Sequence, residues 1–148
     1  MSLTRKLYFL LGFAAMGGLL FVFFSESQVK PKSCPMLTES NDCVVLERVE
    51  TEAAREKGLS DREDLSTDRG MLFVFEGPQT ACLWMKDMNF AVDMVWLNEQ
   101  KTIVQIAENI RPETYPETFC ANDTRYVIEL ASGVADQAGL RVGQHLKF

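Results

Sequence analysis

The chain has 148 residues, the length of one domain, and 47% of them are hydrophobic, which excludes a disordered chain. Its 15 basic and 21 acidic side chains give a net charge of −6. This charge argues against nucleic acid as a partner, because neutralising phosphates requires clustered Lys and Arg. A single long apolar run excludes a membrane protein with several spans.

The N-terminal segment predicts a membrane anchor. Residues Leu7–Phe24 carry no charge, and as a helix they would rise about 27 Å, close to the hydrocarbon thickness of about 30 Å. Arg5 and Lys6 precede this run, so the positive-inside rule places the N-terminus in the cytoplasm and the rest outside, in the periplasm or extracellular space. A cleaved signal peptide is the alternative. The predicted parts are a cytoplasmic stub with a transmembrane anchor or uncleaved signal at 1–24, a tether at 25–42, and an extracytoplasmic β domain at 43–148.

All four cysteines follow the predicted anchor, in a compartment where disulfides persist. Cys34, Cys43, Cys82 and Cys120 allow three pairings, of which we prefer Cys34–Cys43 with Cys82–Cys120. Free cysteines are the alternative if the domain faces the cytosol. The spacings contain no C-x-x-C and His145 is the only histidine, so no metal site is expected. No phosphate-binding loop is present, and no cofactor is expected.

The first predicted elements of the domain are a strand and a short helix. Cys43–Val49 is rich in Val and Leu and predicts a strand. Thr51 can cap a helix that continues through Lys57, and Gly58 is typical of a helix end.

The remainder of the chain predicts short strands separated by turns. The predicted strands are Met71–Phe75, Ala81–Met85, Val92–Leu97, Thr102–Ile106 and Tyr126–Leu130, with the third and fourth forming a hairpin. A long loop is predicted at Arg111–Thr124, and Ser132 is predicted to cap a short helix that ends at Gly139. This pattern indicates a mainly β fold, a small sandwich or barrel with two short helices.

Several segments of the domain resemble the domain of unknown function family 192. They are REKGLSDREDL, RGMLFVFE, CLWMKDMNFAVDMVWLN, YVIELASG and GLRVGQ, and the resemblance covers about Leu46 to Phe148. It implies a mainly β, jelly-roll-like fold that often follows a signal peptide or an anchor, and it implies no activity. The chain departs from the family pattern at Asp87, where Asn is usual, and at Ala91, where Pro is usual.

The segment around Trp84 holds most of the candidate ligand-binding residues. Strand alternation would place Trp84 and Lys86 on one face and Asp87 on the other. In a functional interpretation, Trp84 is a stacking platform, while Lys86, Asp87 and Asp93 bind polar groups of a ligand. In the alternative interpretation, Trp84 and the neighbouring methionines fill the core, and Lys86 and Asp87 are an exposed polar pair.

Two carboxyl groups further along the chain complete the candidate set. Asp93 lies within the apolar run Ala91–Leu97, so burial would require a partner, for which backbone N–H groups, Lys86 or Arg125 are available. Together with Asp87 or Glu129, it would form a general acid and base, as in glycoside cleavage.

Three hypotheses about function follow. The first is a membrane-anchored, extracytoplasmic binding or accessory module of the cell envelope, whose ligand is a glycan, a polar small molecule or another envelope protein. The second is a carboxylate-based hydrolase that acts on envelope polymers, and the third is a small single-pass subunit of a membrane complex. Nucleophilic catalysis by Ser or Cys is disfavoured, because the sequence contains no G-x-S-x-G motif and its one histidine lies near the chain end. Binding is favoured over carboxylate catalysis, because the sequence does not define the separation between the candidate carboxyl groups.

Overall fold

The computed structural model describes the backbone of residues 36–37 and the backbone and side chains of residues 43–148. The predicted stub, the anchor, most of the tether and Cys34 lie outside the described residues. Within the described part of the chain, no helix combines the length and the apolar character needed to cross a bilayer.

Six strands and two short helices make up the described chain. The strands are β1 (Met36–Leu37), β2 (Cys43–Val49), β3 (Arg69–Trp84), β4 (Val92–Leu97), β5 (Ile103–Ile110) and β6 (Thr118–Ala131). The helices are α1 (Glu52–Lys57) and α2 (Val134–Gln137), and a 3-10 turn spans Pro112–Thr114. The predicted mainly β class with two short helices is confirmed.

The strands form one continuous sheet in the order β1-β2-β3-β6-β4-β5. Every neighbouring pair is antiparallel except β2 and β3, which run parallel. Parallel strands need a crossover connection, and α1 with the segment after it provides that connection. The predicted hairpin of β4 and β5 is confirmed.

The sheet buries side chains on both faces. All six residues of β4 are buried, and alternation divides them between two apolar clusters. Val95 and Leu97 belong to the first core, which α2 and the C-terminal segment cover. Met94 and Trp96 belong to the second core, which Leu59, in the crossover after α1, helps to cover.

The two longest strands fold back over the second core. β3 and β6 pair along most of their length, with register shifts between Val74 and Ala81. Beyond these shifts, Ala81 and Leu83 join the second core, and Trp96 on β4 donates its indole N–H to the Ala81 carbonyl oxygen at 3.1 Å. A bend within one sheet therefore produces two layers. The strands predicted at Met71–Phe75 and Ala81–Met85 belong to the single strand β3, which ends at Trp84.

The long loop predicted at Arg111–Thr124 is wrong in its second half. β6 begins at Thr118, so Cys120 lies on a strand directly opposite Cys82 of β3. The Cys82–Cys120 disulfide is confirmed, and the two Cα atoms are 4.1 Å apart. This stretch of β6 buries few side chains, because one of its faces is exposed, so its sequence lacks the apolar run of a typical strand.

The predicted signals at α1 are confirmed. Thr51 precedes the helix, and its hydroxyl oxygen accepts a hydrogen bond from the backbone N–H of Ala54 at 3.2 Å. Gly58 ends the helix with a φ of +47°, a conformation that glycine adopts readily, and its N–H donates to the Ala54 carbonyl oxygen. The end of α1 lies beside β3, since a Cβ added at Gly58 would meet the Phe73 ring at 3.4 Å.

Candidate functional site

A cleft of about 330 Å³ lies between α1 and β3, and we call it the α1–β3 cleft. Its apolar wall consists mainly of Phe73, Phe75, Leu83, Trp84 and Met88. Its charged side chains on α1 are Glu52, Arg55, Glu56 and Lys57, and the buried Glu129 of β6 contributes to its floor. An apolar cavity with a few polar groups is the usual form of a small-molecule site.

Trp84 is part of the cleft and not of the core. It is the last residue of β3, and 41% of its surface is exposed, whereas Trp96 is fully buried. Of the neighbouring methionines, Met85 is buried in the second core, while Met88 is half-buried and lines the cleft beside Trp84. The core-filling interpretation therefore fits Met85 but does not fit Trp84.

Arg55 connects the two sides of the cleft. From α1 it donates a hydrogen bond to the Val74 carbonyl oxygen of β3 at 2.9 Å, and another to the Glu50 carbonyl oxygen. Its guanidinium lies 5.2 Å from the centre of the Phe75 ring, a cation–π distance. These contacts join α1 to β3 across the cleft.

Glu129 is a buried carboxyl group in an apolar row. Its direct neighbours across the sheet are Met71 of β3 and Met94 of β4. Only 4% of Glu129 is exposed, and among the described residues no group hydrogen-bonds to its buried Oε2. Burial raises the pKa of Glu129 to about 8, although the positive charge of Arg62 acts in the opposite direction. At neutral pH the carboxyl is therefore mostly protonated and can donate its O–H.

Asp93 lies on the opposite face of the sheet from Glu129. Its register partner on β6 is Leu130, whereas the partner of Glu129 is Met94. The two oxygens of Asp93 accept hydrogen bonds from the backbone N–H groups of Asn109, at 2.8 Å, and Ala135, at 2.9 Å. Asp93 therefore binds backbone donors rather than a ligand, and the structure does not bring it together with Glu129.

The contact between Asp93 and Ala135 also corrects the predicted cap of α2. Ser132 precedes this helix, but its hydroxyl donates to the Asn109 side chain at 3.0 Å. Gly133 occupies the capping position and has no side chain to contribute. A buried N–H of the first turn, that of Ala135, instead donates to Asp93, which comes from β4, far away in the sequence.

Lys86 and Asp87 lie in the turn after β3, with exposed side chains outside the cleft. Their backbone carbonyl oxygens accept hydrogen bonds from the Ser60 hydroxyl and the Asp61 N–H, both at 2.8 Å. Strand alternation therefore ends at Trp84. The φ of Asp87 is +56°, a left-handed conformation that Asp and Asn tolerate better than most residues. Asp87 is therefore compatible with the backbone conformation that this turn requires.

The structure thus brings together two of the five candidate residues. Trp84 and Glu129 line one cleft, whereas Lys86, Asp87 and Asp93 do not. The sequence interpretation missed Phe75 and Arg55, which both line it. Alternation along the apolar strand could have identified Phe75, but α1 has only six residues and gives no signal for the direction of Arg55.

Comparison with known proteins identifies a family. The profile of DUF192, described as "Uncharacterized ACR", matches residues 35–148. A crystal structure of a Sinorhizobium meliloti protein, described as a "putative transcription regulator", has a TM-score of 0.69 and 29% identity, covering 76% of this chain and 88% of that one. A Novosphingobium aromaticivorans protein of unknown function has a TM-score of 0.70 and 25% identity, covering 76% of this chain and 81% of that one. No curated protein matches the chain.

Proposed function

Because the chain belongs to DUF192, a family described without an activity, we propose its function from the α1–β3 cleft. The domain is an extracytoplasmic binding module of the cell envelope that holds a small ligand in this cleft. One observation carries the proposal, namely that the buried Glu129, whose Oε2 has no described partner, shares the cleft with the exposed indole of Trp84.

A buried polar atom without a partner costs free energy, and such atoms are rare in folded proteins. A ligand that hydrogen-bonds to Glu129 would remove this cost, while Trp84 and Met88 would cover its apolar surface. The volume of about 330 Å³ lies at the lower end of the range for small-molecule sites. A polar small molecule or part of a glycan therefore fits better than a protein surface.

The disulfide supports the proposed location. Cys82 and Cys120 are both exposed, and disulfides persist in oxidising compartments such as the periplasm. We propose that Leu7–Phe24 anchors the chain in the membrane and that residues 25–42 tether the domain outside. The Sinorhizobium meliloti protein is described as a "putative transcription regulator", but the net charge of −6 disfavours nucleic acid as a partner of this chain. We also keep a role as a small subunit of a membrane complex as a proposal, which rests on the same anchor.

A carboxylate-based hydrolase is the second candidate function. The raised pKa of Glu129 favours it, because a carboxyl protonated at neutral pH is suited to general acid catalysis. Asp93 lies on the other face of the sheet, so a second catalytic carboxylate would have to come from Glu52 or Glu56 on α1. Glu129→Gln separates the two functions, because an amide can still hydrogen-bond to a ligand but cannot supply an acidic proton.

Methionine-methyl NMR of the full chain, titrated with a library of neutral, cationic and anionic fragments, tests the proposed function. We expect some fragments to shift the methyl signal of Met88, and we expect these shifts to disappear in Trp84→Ala. Lys86→Ala is the matched control, because its exposed side chain lies next to the cleft but outside it. The proposal is wrong if no fragment shifts Met88, or if the shifts persist in Trp84→Ala.

A further inference from the structure

We propose that the ligand of the α1–β3 cleft is an N-acetylated amino sugar, whose uncharged acetamido group meets the Glu129 carboxyl and whose ring lies against Trp84. This inference rests on the proposed binding function and assigns the chemical class of the ligand. Three features of the cleft lead to it, namely the polar atom on its floor, the charges around it and its apolar wall.

The floor of the cleft suits a ligand that both accepts and donates hydrogen bonds. Glu129 is flanked by Met71 and Met94, and neither neighbour offers a hydrogen-bond partner of useful strength. A protonated carboxyl donates through its O–H and accepts through its other oxygen. A planar amide has the complementary pair, a carbonyl oxygen that accepts and an N–H that donates. An acetamido group can therefore hydrogen-bond to the unpartnered Oε2 of this carboxyl without introducing a charge.

The charges around the cleft argue against a cationic ligand. The cleft-lining charged groups on α1 are Glu52, Arg55, Glu56 and Lys57, and Arg62 in the following segment acts on Glu129 by its charge. The partners of Glu129 on β3 and β4 are uncharged. A ligand cation placed against Glu129 would require this carboxyl to be ionised in apolar surroundings, and burial disfavours that form. Arg55 also occupies a face of Phe75, so one aromatic surface that could bind a cation is taken.

The wall of the cleft suits a sugar ring that bears a methyl group. Trp84 is 41% exposed and offers a flat aromatic surface, the kind of platform on which rings stack. Leu83 and Met88, beside it, are apolar and can contact the acetyl methyl. An N-acetylated amino sugar combines a ring, an amide and a methyl group within a volume that this cleft can hold.

Two disaccharides that differ only at nitrogen test the inference. Isothermal titration calorimetry of the full chain at pH 6.5 compares diacetylchitobiose, which carries acetamido groups, with chitobiose, which carries amines. We expect chitobiose to bind at least about tenfold more weakly than diacetylchitobiose, a difference of about 1.4 kcal/mol. Equal affinities, or tighter binding of chitobiose, would overturn the inference. If neither disaccharide binds while other fragments still shift the methyl signal of Met88, the ligand class is wrong and the proposed function stands. If no fragment shifts this signal, the proposed function fails.

Variants of Glu129 identify its part in this binding. Glu129→Leu removes the polar pair, and we expect diacetylchitobiose to bind at least about tenfold more weakly. Glu129→Gln keeps a donor and an acceptor and is expected to change the affinity by less than about threefold. Glu117→Gln, an exposed carboxyl outside the cleft, is the control. Unchanged binding in Glu129→Leu would contradict the inference.

A pH series keeps the test decisive if Glu129→Leu fails to fold. Ionisation of Glu129 removes its O–H, so the affinity of the wild type for diacetylchitobiose is expected to fall about tenfold from pH 7 to pH 9, given a pKa of about 8. In Glu129→Gln the affinity is expected to stay constant over this range. Parallel pH profiles for the two proteins would overturn the inference.

Discussion

Replacing Glu129 with Gln is expected to change how the stability of the domain depends on pH. The pKa of Glu129 is about 8 in the folded state, against an ordinary value of 4.5, so between these values the folded state holds a proton that the unfolded chain has lost. The free energy of unfolding therefore falls by about 1.4 kcal/mol per pH unit as the pH rises through this window. From pH 4.5 to pH 7 the loss amounts to about 3 kcal/mol, and it is complete above pH 8. Gln has a similar shape but does not titrate, so its stability lacks this loss.

Urea unfolding of the full chain at pH 5, 6, 7 and 8 measures this effect. We expect the stability of Glu129→Gln relative to the wild type to increase steadily across the series. Glu117→Gln, at an exposed position, is expected to follow the wild type at every pH. If the curves of all three proteins run parallel, Glu129 is ionised in the folded state and the argument from its burial is refuted.

Three further variants test the packing of the domain. Asp93→Ala leaves two backbone N–H groups without acceptors, so we expect the free energy of unfolding in urea to fall by about 2–4 kcal/mol. An unchanged unfolding midpoint would contradict the role of Asp93 as a cap of α2. In Gly70→Ala the added Cβ would lie 2.8 Å from a backbone oxygen of β6, so the free energy of unfolding in urea is expected to fall by about 1–3 kcal/mol. Wild-type stability would contradict this, because it would mean that β3 and β6 can move apart to admit the methyl group without cost. Cys82→Ser combined with Cys120→Ser removes the covalent link between β3 and β6, and a thermal melt is expected to show a loss of about 2–4 kcal/mol in the free energy of unfolding. Adding a reductant to the wild type should also lower its stability, and a reductant without effect would contradict this prediction.

The elements that could be predicted from the sequence are those specified by local signals. Thr51 and Gly58 delimit α1, because capping depends on residues within one turn of the helix. Gly77 and Pro78 are typical of a turn, so the sequence predicts two strands where the structure has the single strand β3. In the structure they lie within the register shift of β3, where a bulge tolerates residues that a regular strand excludes.

The site was harder to predict than the strands, because its geometry depends on distant partners. The apolar run around Asp93 indicated a buried, hydrogen-bonded carboxylate, but its partners Asn109 and Ala135 belong to other segments. Alternation on β6 places Glu129 on the face of Val127, in the second core. Nothing near Glu129 in the sequence indicates that its Oε2 lacks a partner, because that depends on which side chains β3 and β4 bring beside it.

The contrast between the two tryptophans gives the unlabelled protein two optical probes. The chain contains no others, and Trp96 is enclosed in the second core while Trp84 faces solvent at the cleft. An enclosed indole emits at shorter wavelength than a solvated one and is shielded from dissolved quenchers such as iodide. The quenchable, long-wavelength emission therefore reports on occupancy of the cleft, and the shielded emission reports on the integrity of the core. A compound that binds the cleft can thus be distinguished by intrinsic fluorescence from one that unfolds the domain.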